Sequence, residues 1–309
     1  MLTSHTARIC FPAAVALLAS VAFAGLPTTC QVPVTSPNGL VSDGVNVWAA
    51  SGSGSLVAIN ATTCAIVNTV QIGGTPALVA FDGADVWVTD YTGNRVVKVD
   101  AATGAILNAY PVGPGPYGIV YNSSTKTIWI AISQGNPGSI QVMNLTDTKA
   151  WSLPTPTATP KYLMNTGDVY VTDGALNLSW YSPASRVLAG QMSVPAPASA
   201  MVSSAGHVWV SGNGDISQVV GTGKYLTYYT SGQFPECSYQ ALASDGAGYL
   251  YLPCSTSAGA DSLQQFSEKS LLVTKTFTVP TNPVGLTWGN HQLWVSSQTG
   301  NMVTSWNVP

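Results

Sequence analysis

The sequence predicts an all-β protein: a seven-bladed β-propeller of four-stranded antiparallel blades, closed by an N-terminal strand that completes the last blade. Three observations support this prediction: an aromatic phrase that recurs seven times, four short β-rich runs within each repeat, and a last repeat that lacks its fourth strand. The recurring residues, here called the aromatic anchors, are Trp48, Trp87, Trp129, Tyr170, Trp209, Tyr251 and Trp294. Their spacing stays near forty residues, which is the period of propeller blades.

The second repeat shows four strands most clearly. Its runs of Val, Ile and aromatic residues are bounded by Gly, Asp, Asn or Pro, as strands joined by tight turns are. We name the strands A to D along the chain and predict them here over residues 76–83, 84–90, 95–100 and 105–112. The anchor lies on strand B, and we expect it to pack between neighbouring blades. The same frame predicts the other blades over residues 37–75, 116–158, 160–198, 199–238, 239–282 and 283 onward.

The last repeat supplies a strand C over residues 302–308, and no strand D follows it. Residues 28–35 precede Pro37 in the same way that 65–72, the last strand of the first repeat, precede Pro76. An open ring would leave an unpaired sheet edge, which favours aggregation. We therefore predict that residues 28–35 pair with the C-terminal strand and close the ring.

Residues 1–24 have the pattern of a signal peptide, and an uncleaved anchor is the alternative. Arg8 is followed by an apolar run over 11–24 that ends in the small-x-small motif before Gly25. We assign residues 25–309 to the propeller and expect a secreted protein, extracellular or periplasmic. We expect it to be a monomer with no membrane span after signal removal, since no second apolar run of that length follows.

Composition and cysteine content narrow the function classes. Only 7% of residues are charged, with 10 Lys+Arg against 13 Asp+Glu, so the chain lacks the basic footprint of a nucleic-acid-binding protein. Beyond Cys10 in the signal segment, four cysteines remain, and in an exported protein they predict two disulfides with three possible connectivities. The short sequence separations favour disulfides between Cys30 and Cys64 and between Cys237 and Cys254.

The D to A loops and the B to C loops of a propeller gather on one face, around the mouth of the central channel. We expect the residue three positions after each anchor to lie at this mouth; these residues are Ser51, Asp90, Ile132, Asp173, Gly212, Cys254 and Ser297. Only two of them are ionisable, whereas catalysis needs convergent acids, bases or metal ligands. The pattern therefore predicts binding rather than chemistry, with no cofactor.

Polar residues in and near these loops are the predicted ligand-binding residues: Asp90, Tyr91, Arg95, Asp173, Asn213, Asp215 and Gln298. Asp90 and Arg95 would form a carboxylate or anion clamp, because Arg presents a planar fork of donors. The alternative is that Asp90 caps its own turn and Arg95 is a solvated strand end. The predicted ligands are a carbohydrate, a peptide or another surface protein.

The phrases Val-Trp-Val-Thr-Asp at 86–90 and Tyr-Val-Thr-Asp at 170–173, with Asn-Arg-Val-Val-Lys-Val-Asp at 94–100, resemble YVTN-type β-propeller repeat proteins. The chain is also similar to the streptogramin (virginiamycin B) lyase group in fold. That resemblance implies elimination chemistry that uses magnesium with a His and Glu pair. The chain holds only Glu236 and Glu268, and neither has a His at a corresponding repeat position. We therefore assign no catalytic or metal-binding residue, and keep as the alternative a lyase or hydrolase that uses Ca²⁺ or Mg²⁺.

Overall fold

Seven antiparallel sheets succeed one another along the chain and form the blades of a propeller. The computed structural model describes residues 28–135, 137–147, 149–155, 159–194, 197–212, 215–220, 225–229, 238–239, 241–255 and 261–308. Those residues contain 29 strands, and none of them forms a helix with the length and apolar character needed to cross a bilayer. The predicted all-β, seven-bladed architecture is confirmed.

Blades one to four each contain four strands in the order A to D. Their bounds are β2–β5 (Pro37–Ser42, Asn46–Ser51, Ser55–Asn60, Ile66–Gln71), β6–β9 (Pro76–Phe81, Asp85–Asp90, Arg95–Asp100, Ile106–Pro111), β10–β13 (Pro116–Asn122, Thr127–Ile132, Ser139–Asn144, Ala150–Pro154) and β14–β17 (Tyr162–Asn165, Val169–Thr172, Asn177–Ser182, Val187–Ser193).

Blades five to seven complete the ring. Their strands are β18–β21 (Ala198–Ser204, His207–Gly212, Asp215–Val220, Tyr225–Tyr229), β22–β26 (Ser238–Tyr239, Ala243–Ser244, Tyr249–Ser255, Ser262–Ser267, Leu272–Thr278) and β27–β29 (Pro283–Gly289, Gln292–Ser297, Met302–Trp306). In blade six both β22 and β23 pair with β24, so strand A is divided into two short pieces.

The aromatic anchors form the core between blades, as predicted. Each is at most 8% exposed, and Trp87 of blade two packs with Ile119, Ile128 and Ile130 of blade three. In blades one and two the anchor indole also donates a hydrogen bond to the Asp five positions earlier; the Trp87 Nε1 to Asp82 Oδ2 distance is 2.8 Å. Because that carboxylate also accepts from backbone N–H groups of the A to B turn, it fixes the turn to the buried ring.

The ring closes as the sequence predicts. β1 (Thr28–Pro33) lies beside β29 in antiparallel register, with Val32 opposite Val303, and supplies the fourth strand of blade seven. A disulfide joins Cys30 of this strand to Cys64, which lies in the C to D turn of blade one. The first predicted disulfide is therefore confirmed, and it ties the closing blade to its neighbour.

Two further predictions concern residues that the structure does not describe. The proposed signal peptide, 1–24, lies outside the described residues, and so does Cys237. Its predicted partner Cys254 is buried near the end of β24. The signal peptide and the second disulfide therefore stay predictions.

Candidate functional site at the channel mouth

A cavity of about 580 Å³ opens at the face where the D to A and B to C loops meet. Strand starts and loops of blades one to four and seven surround it. Its lining residues are Asn38, Thr75, Ala77, Tyr91, Tyr117, Ser133, Thr159, Lys161, Asp173, Gly174 and Gln298. Of the predicted ligand-binding residues, Tyr91, Asp173 and Gln298 lie in this lining.

Of the residues three positions after the anchors, only Asp173 belongs to the described cavity lining, contrary to the sequence-based expectation. All seven are buried, and the side chains of Ser51, Asp90 and Ser297 fasten the loop that leads into strand A. The Ser297 hydroxyl donates to the Pro280 carbonyl at 3.1 Å, and the Ser51 hydroxyl donates to the Thr35 carbonyl. The side chain one position further along the chain faces the cavity instead, as at Tyr91, Ser133 and Gln298. This one-residue offset follows from the alternation of side chains along an extended chain.

Asp90 is fully buried, and every contact of its carboxylate is internal. Oδ1 accepts the backbone N–H groups of Thr75 and Gly93 at 2.9 and 3.0 Å, and Oδ2 accepts Arg95 Nε at 2.9 Å. Arg95 also donates through Nη2 to the Ile72 carbonyl at 2.6 Å. The two side chains thus join the B to C turn of blade two to the loop before its strand A. This geometry favours the turn-capping alternative over a clamp open to a ligand.

The other predicted residues lie apart from the cavity or outside the described chain. Asp215 opens β20 and is partly buried, but it is absent from the described cavity lining. Asn213 lies outside the described residues. Within the part of the chain that the structure describes, no three His, Cys, Asp or Glu side chains are grouped so that they could hold a metal ion.

Sequence reasoning missed the residue that follows the opening proline of strand A. Asn38, Ala77, Tyr117 and Lys161 hold this position in blades one to four, and all four line the cavity. In blade three the pairing of strands A and B shifts between Pro116 and Ile119, and such a bulge redirects a side chain. The proline that opens the first four repeats and the last one was the signal that could have identified these positions.

Two tyrosines of the lining, Tyr91 and Tyr117, form one wall of the cavity, and Tyr162 packs against Tyr117 and lines a smaller cavity beside it. The rings of Tyr91 and Tyr117 meet edge to face with centroids 6.2 Å apart, and those of Tyr117 and Tyr162 do so at 5.5 Å. Gln134 Nε2 donates to the Tyr91 hydroxyl at 2.9 Å. Burial raises the pKa of both Tyr117 and Tyr162. Both phenols are therefore neutral at physiological pH and keep a proton to donate.

Lys161 lies against this wall. Its Nζ is 5.3 Å from the ring centroid of Tyr117 and 5.2 Å from that of Tyr162, within the range of a cation–π interaction. Asp173, the other charged residue of the lining, is only 8% exposed. Asp173 Oδ1 accepts the N–H groups of Ala175 and Asn177, and Oδ2 accepts Asn177 Nδ2 at 2.8 Å. The Asp173 carboxylate is therefore committed to its own turn.

Amide side chains continue the lining into the channel. Gln298 Nε2 donates to Asn38 Oδ1 at 2.6 Å, and Asn38 Nδ2 donates to the Pro76 carbonyl at 3.1 Å. A smaller cavity of about 150 Å³ is also lined by Asn38, Tyr117, Tyr162 and Gln298. The mouth and the upper channel thus share one polar and aromatic surface.

Glycine two positions after the opening proline sets the width of the channel. A Cβ on Gly118 would lie 2.4 Å from the Lys161 carbonyl oxygen, and one on Gly285 would lie 2.5 Å from the Asn38 oxygen. Both neighbouring atoms belong to the backbone of the next strand A, which a rotamer change cannot move. The Pro-x-Gly motif therefore permits the close approach of innermost strands that positions the mouth residues.

We expect Gly118→Ala to destabilise the protein by about 2 kcal/mol, since overpacking of this kind costs roughly 1–3 kcal/mol. Urea denaturation of the purified protein measures the effect. Ser199→Ala is the control, because it only removes a hydroxyl from strand A of blade five, where Ala200 already holds the position equivalent to Gly118. Equal stability of the two variants would contradict the steric role of Gly118.

Comparisons with known proteins identify the fold alone. No family model matches the chain, and no curated protein matches its sequence. It superposes on a chain of Kuenenia stuttgartiensis hydrazine synthase with a TM-score of 0.75 and 15% identity, covering 89% of this chain and 96% of that one. The β-propeller domain of Cps50 (Swd1) from Myceliophteria thermophila gives a TM-score of 0.76 at 11% identity, with coverages of 90% and 99%. Fold similarity at such identities carries no function with it.

Proposed function

We propose that this protein is an exported binding module that holds a ligand in the channel-mouth cavity. The main supporting observation is the wall of Tyr91 and Tyr117 beside Lys161, within a cavity of about 580 Å³. That volume lies within the roughly 300–1,000 Å³ of small-molecule sites. Such sites combine aromatic surface with a few polar groups that orient the ligand, as this lining does.

Export is part of the proposal. The Cys30–Cys64 disulfide suits an oxidising compartment, where such bonds persist. The signal-like pattern of residues 1–24 supports the same location. Mass spectrometry of the protein recovered from culture medium or periplasm would test this, and we expect an N-terminus near Gly25 and a retained disulfide.

Kinship to YVTN-type repeat proteins is also proposed. Its support is the Val-Trp-Val-Thr-Asp phrase that forms most of β7, together with the Val-Tyr-Val-Thr of β15. Both phrases serve as strand B and carry the buried anchor. A profile built from close relatives of this chain should match YVTN repeats in register with these strands; a match in another register would contradict the kinship.

Binding at the mouth is tested with glycan and peptide arrays and the variant Tyr91→Ala. The Tyr91 ring is partly exposed at the cavity and is not an anchor of the core. We expect its loss to weaken binding of any array ligand at least about fivefold, since one stacked aromatic contributes roughly 1 kcal/mol or more. Leu107→Ala is the control, because that side chain is 51% exposed on an outer strand. If both variants weaken ligand binding equally, or if neither weakens it, the binding site lies elsewhere.

A further inference from the structure

We infer that the channel-mouth cavity takes an acidic saccharide, whose carboxylate pairs with Lys161 and whose sugar ring lies against Tyr91 and Tyr117. This inference rests on the proposed binding function, since it names the ligand class for the same site. Three features of the cavity lead to it: its charge, the position of the ammonium group, and the chemistry of its walls.

The lining holds two charged groups, the Lys161 ammonium and the Asp173 carboxylate, and they differ in the hydrogen-bonding capacity they leave for a ligand. Within the described residues no carboxylate forms an ion pair with Lys161. The Asp173 carboxylate accepts hydrogen bonds from the Asn177 side chain and from the backbone N–H groups of Ala175 and Asn177. Asp90 is buried and paired with Arg95. A partly buried ammonium that forms no ion pair within the described residues favours a ligand carboxylate, because charge-assisted hydrogen bonds are stronger than neutral ones.

The position of Lys161 disfavours a cationic ligand. Aromatic faces attract cations, and a tyrosine cluster alone would suit an ammonium compound. Here Lys161 Nζ already lies 5.2–5.3 Å from the two ring centroids that would provide that attraction. A second positive charge would meet repulsion from this ammonium, whereas a negative charge would meet the opposite sign.

The walls favour a sugar over a peptide. Hydroxyl groups of Thr75, Ser133 and Thr159 alternate with the amides of Asn38 and Gln298, and Ala77 is the sole aliphatic side chain in the described lining. Peptide side chains are recognised in larger apolar pockets, which this lining lacks. A sugar ring presents apolar C–H faces to aromatic rings and hydroxyl groups to amides and hydroxyls, which matches these walls.

The test compares trigalacturonate with its fully methyl-esterified form, which keeps the sugar and removes the charge. Calorimetric titration of the wild-type protein should show at least about tenfold tighter binding of the acid, with the preference falling as salt rises. Lys161→Met should bind both forms equally, and Lys161→Arg should retain the preference. Lys269→Met is the control: it removes an exposed lysine from a C to D turn on the opposite face, and it should leave the preference for the acid unchanged.

Several outcomes would overturn the inference. If the wild-type protein binds both forms equally and Tyr91→Ala weakens that binding, the site has no preference for the acid. The mouth then remains the binding site. Binding of an acidic peptide in place of trigalacturonate would assign the site to peptides. If the Lys161→Met and Tyr91→Ala variants both bind trigalacturonate as tightly as the wild-type protein does, the result contradicts the inference and the proposed function together. Circular dichroism and the melting temperature of each variant establish that it is folded.

Discussion

Replacing Asp90 with alanine is expected to lower the free energy of unfolding by about 3 kcal/mol. The substitution leaves the backbone N–H groups of Thr75 and Gly93 without their acceptor and removes the ion-pair partner of Arg95. Losing one partner of a buried hydrogen-bonded charge costs roughly 3–5 kcal/mol, and the partial exposure of Arg95 places the expected value at the lower end. Urea denaturation followed by tryptophan fluorescence measures it.

Asp147→Ala provides the control for charge alone. Asp147 makes an exposed ion pair with Lys149 at 3.1 Å, and solvent screens such a pair so that it contributes little to stability. If Asp90 belonged to a ligand clamp, its removal would spare stability and reduce binding. A stable Asp90→Ala protein that no longer binds its array ligand would therefore contradict the structural role assigned here.

Most of the fold could be predicted because its information is local and repeated. In blade two, the predicted runs 76–83, 84–90, 95–100 and 105–112 correspond to strands 76–81, 85–90, 95–100 and 106–111. β-Branched residues and turn-forming Gly, Asp and Asn mark each boundary, and the forty-residue period repeats the signal seven times. The closing strand could be predicted because the last repeat contains three strands and needs a fourth.

The site was harder to predict because one residue decides which way a side chain faces. Position 90 is buried and position 91 lines the cavity, although both belong to the same predicted loop. The bulge that turns Tyr117 into the channel leaves no mark in hydrophobic periodicity. Lys161 and Tyr117 emerge only when the blades are superposed on the opening proline.

The disulfide pattern lies between these cases. Sequence separation favoured Cys30 with Cys64, but the two fall in different blades. Their approach depends on the ring being closed, which brings blade seven beside blade one. The pairing therefore required the tertiary structure before it could be justified physically.

Removing the Cys30–Cys64 disulfide is expected to lower the free energy of unfolding by about 4 kcal/mol, the loop-entropy value for a sequence separation of 34. The variant is Cys30→Ala combined with Cys64→Ala, which leaves the other two cysteines in place. Alanine suits both positions as a probe: it keeps Cys30 apolar in its buried site, and it keeps a Cβ at position 64, where φ is 61°. The comparison in urea therefore isolates the covalent link from side-chain packing and from the backbone conformation.

The location of the effect is as informative as its size. The bridge fastens the strand that pairs with β29, so its loss should loosen blade seven before the other blades. Hydrogen exchange should accelerate at the amides of 302–306 in the double variant and stay slow at those of 95–100, a strand C far from the closure. Uniform acceleration in all blades would mean that the ring opens only by global unfolding. An unchanged urea midpoint would show that β1 holds the ring closed by strand pairing alone.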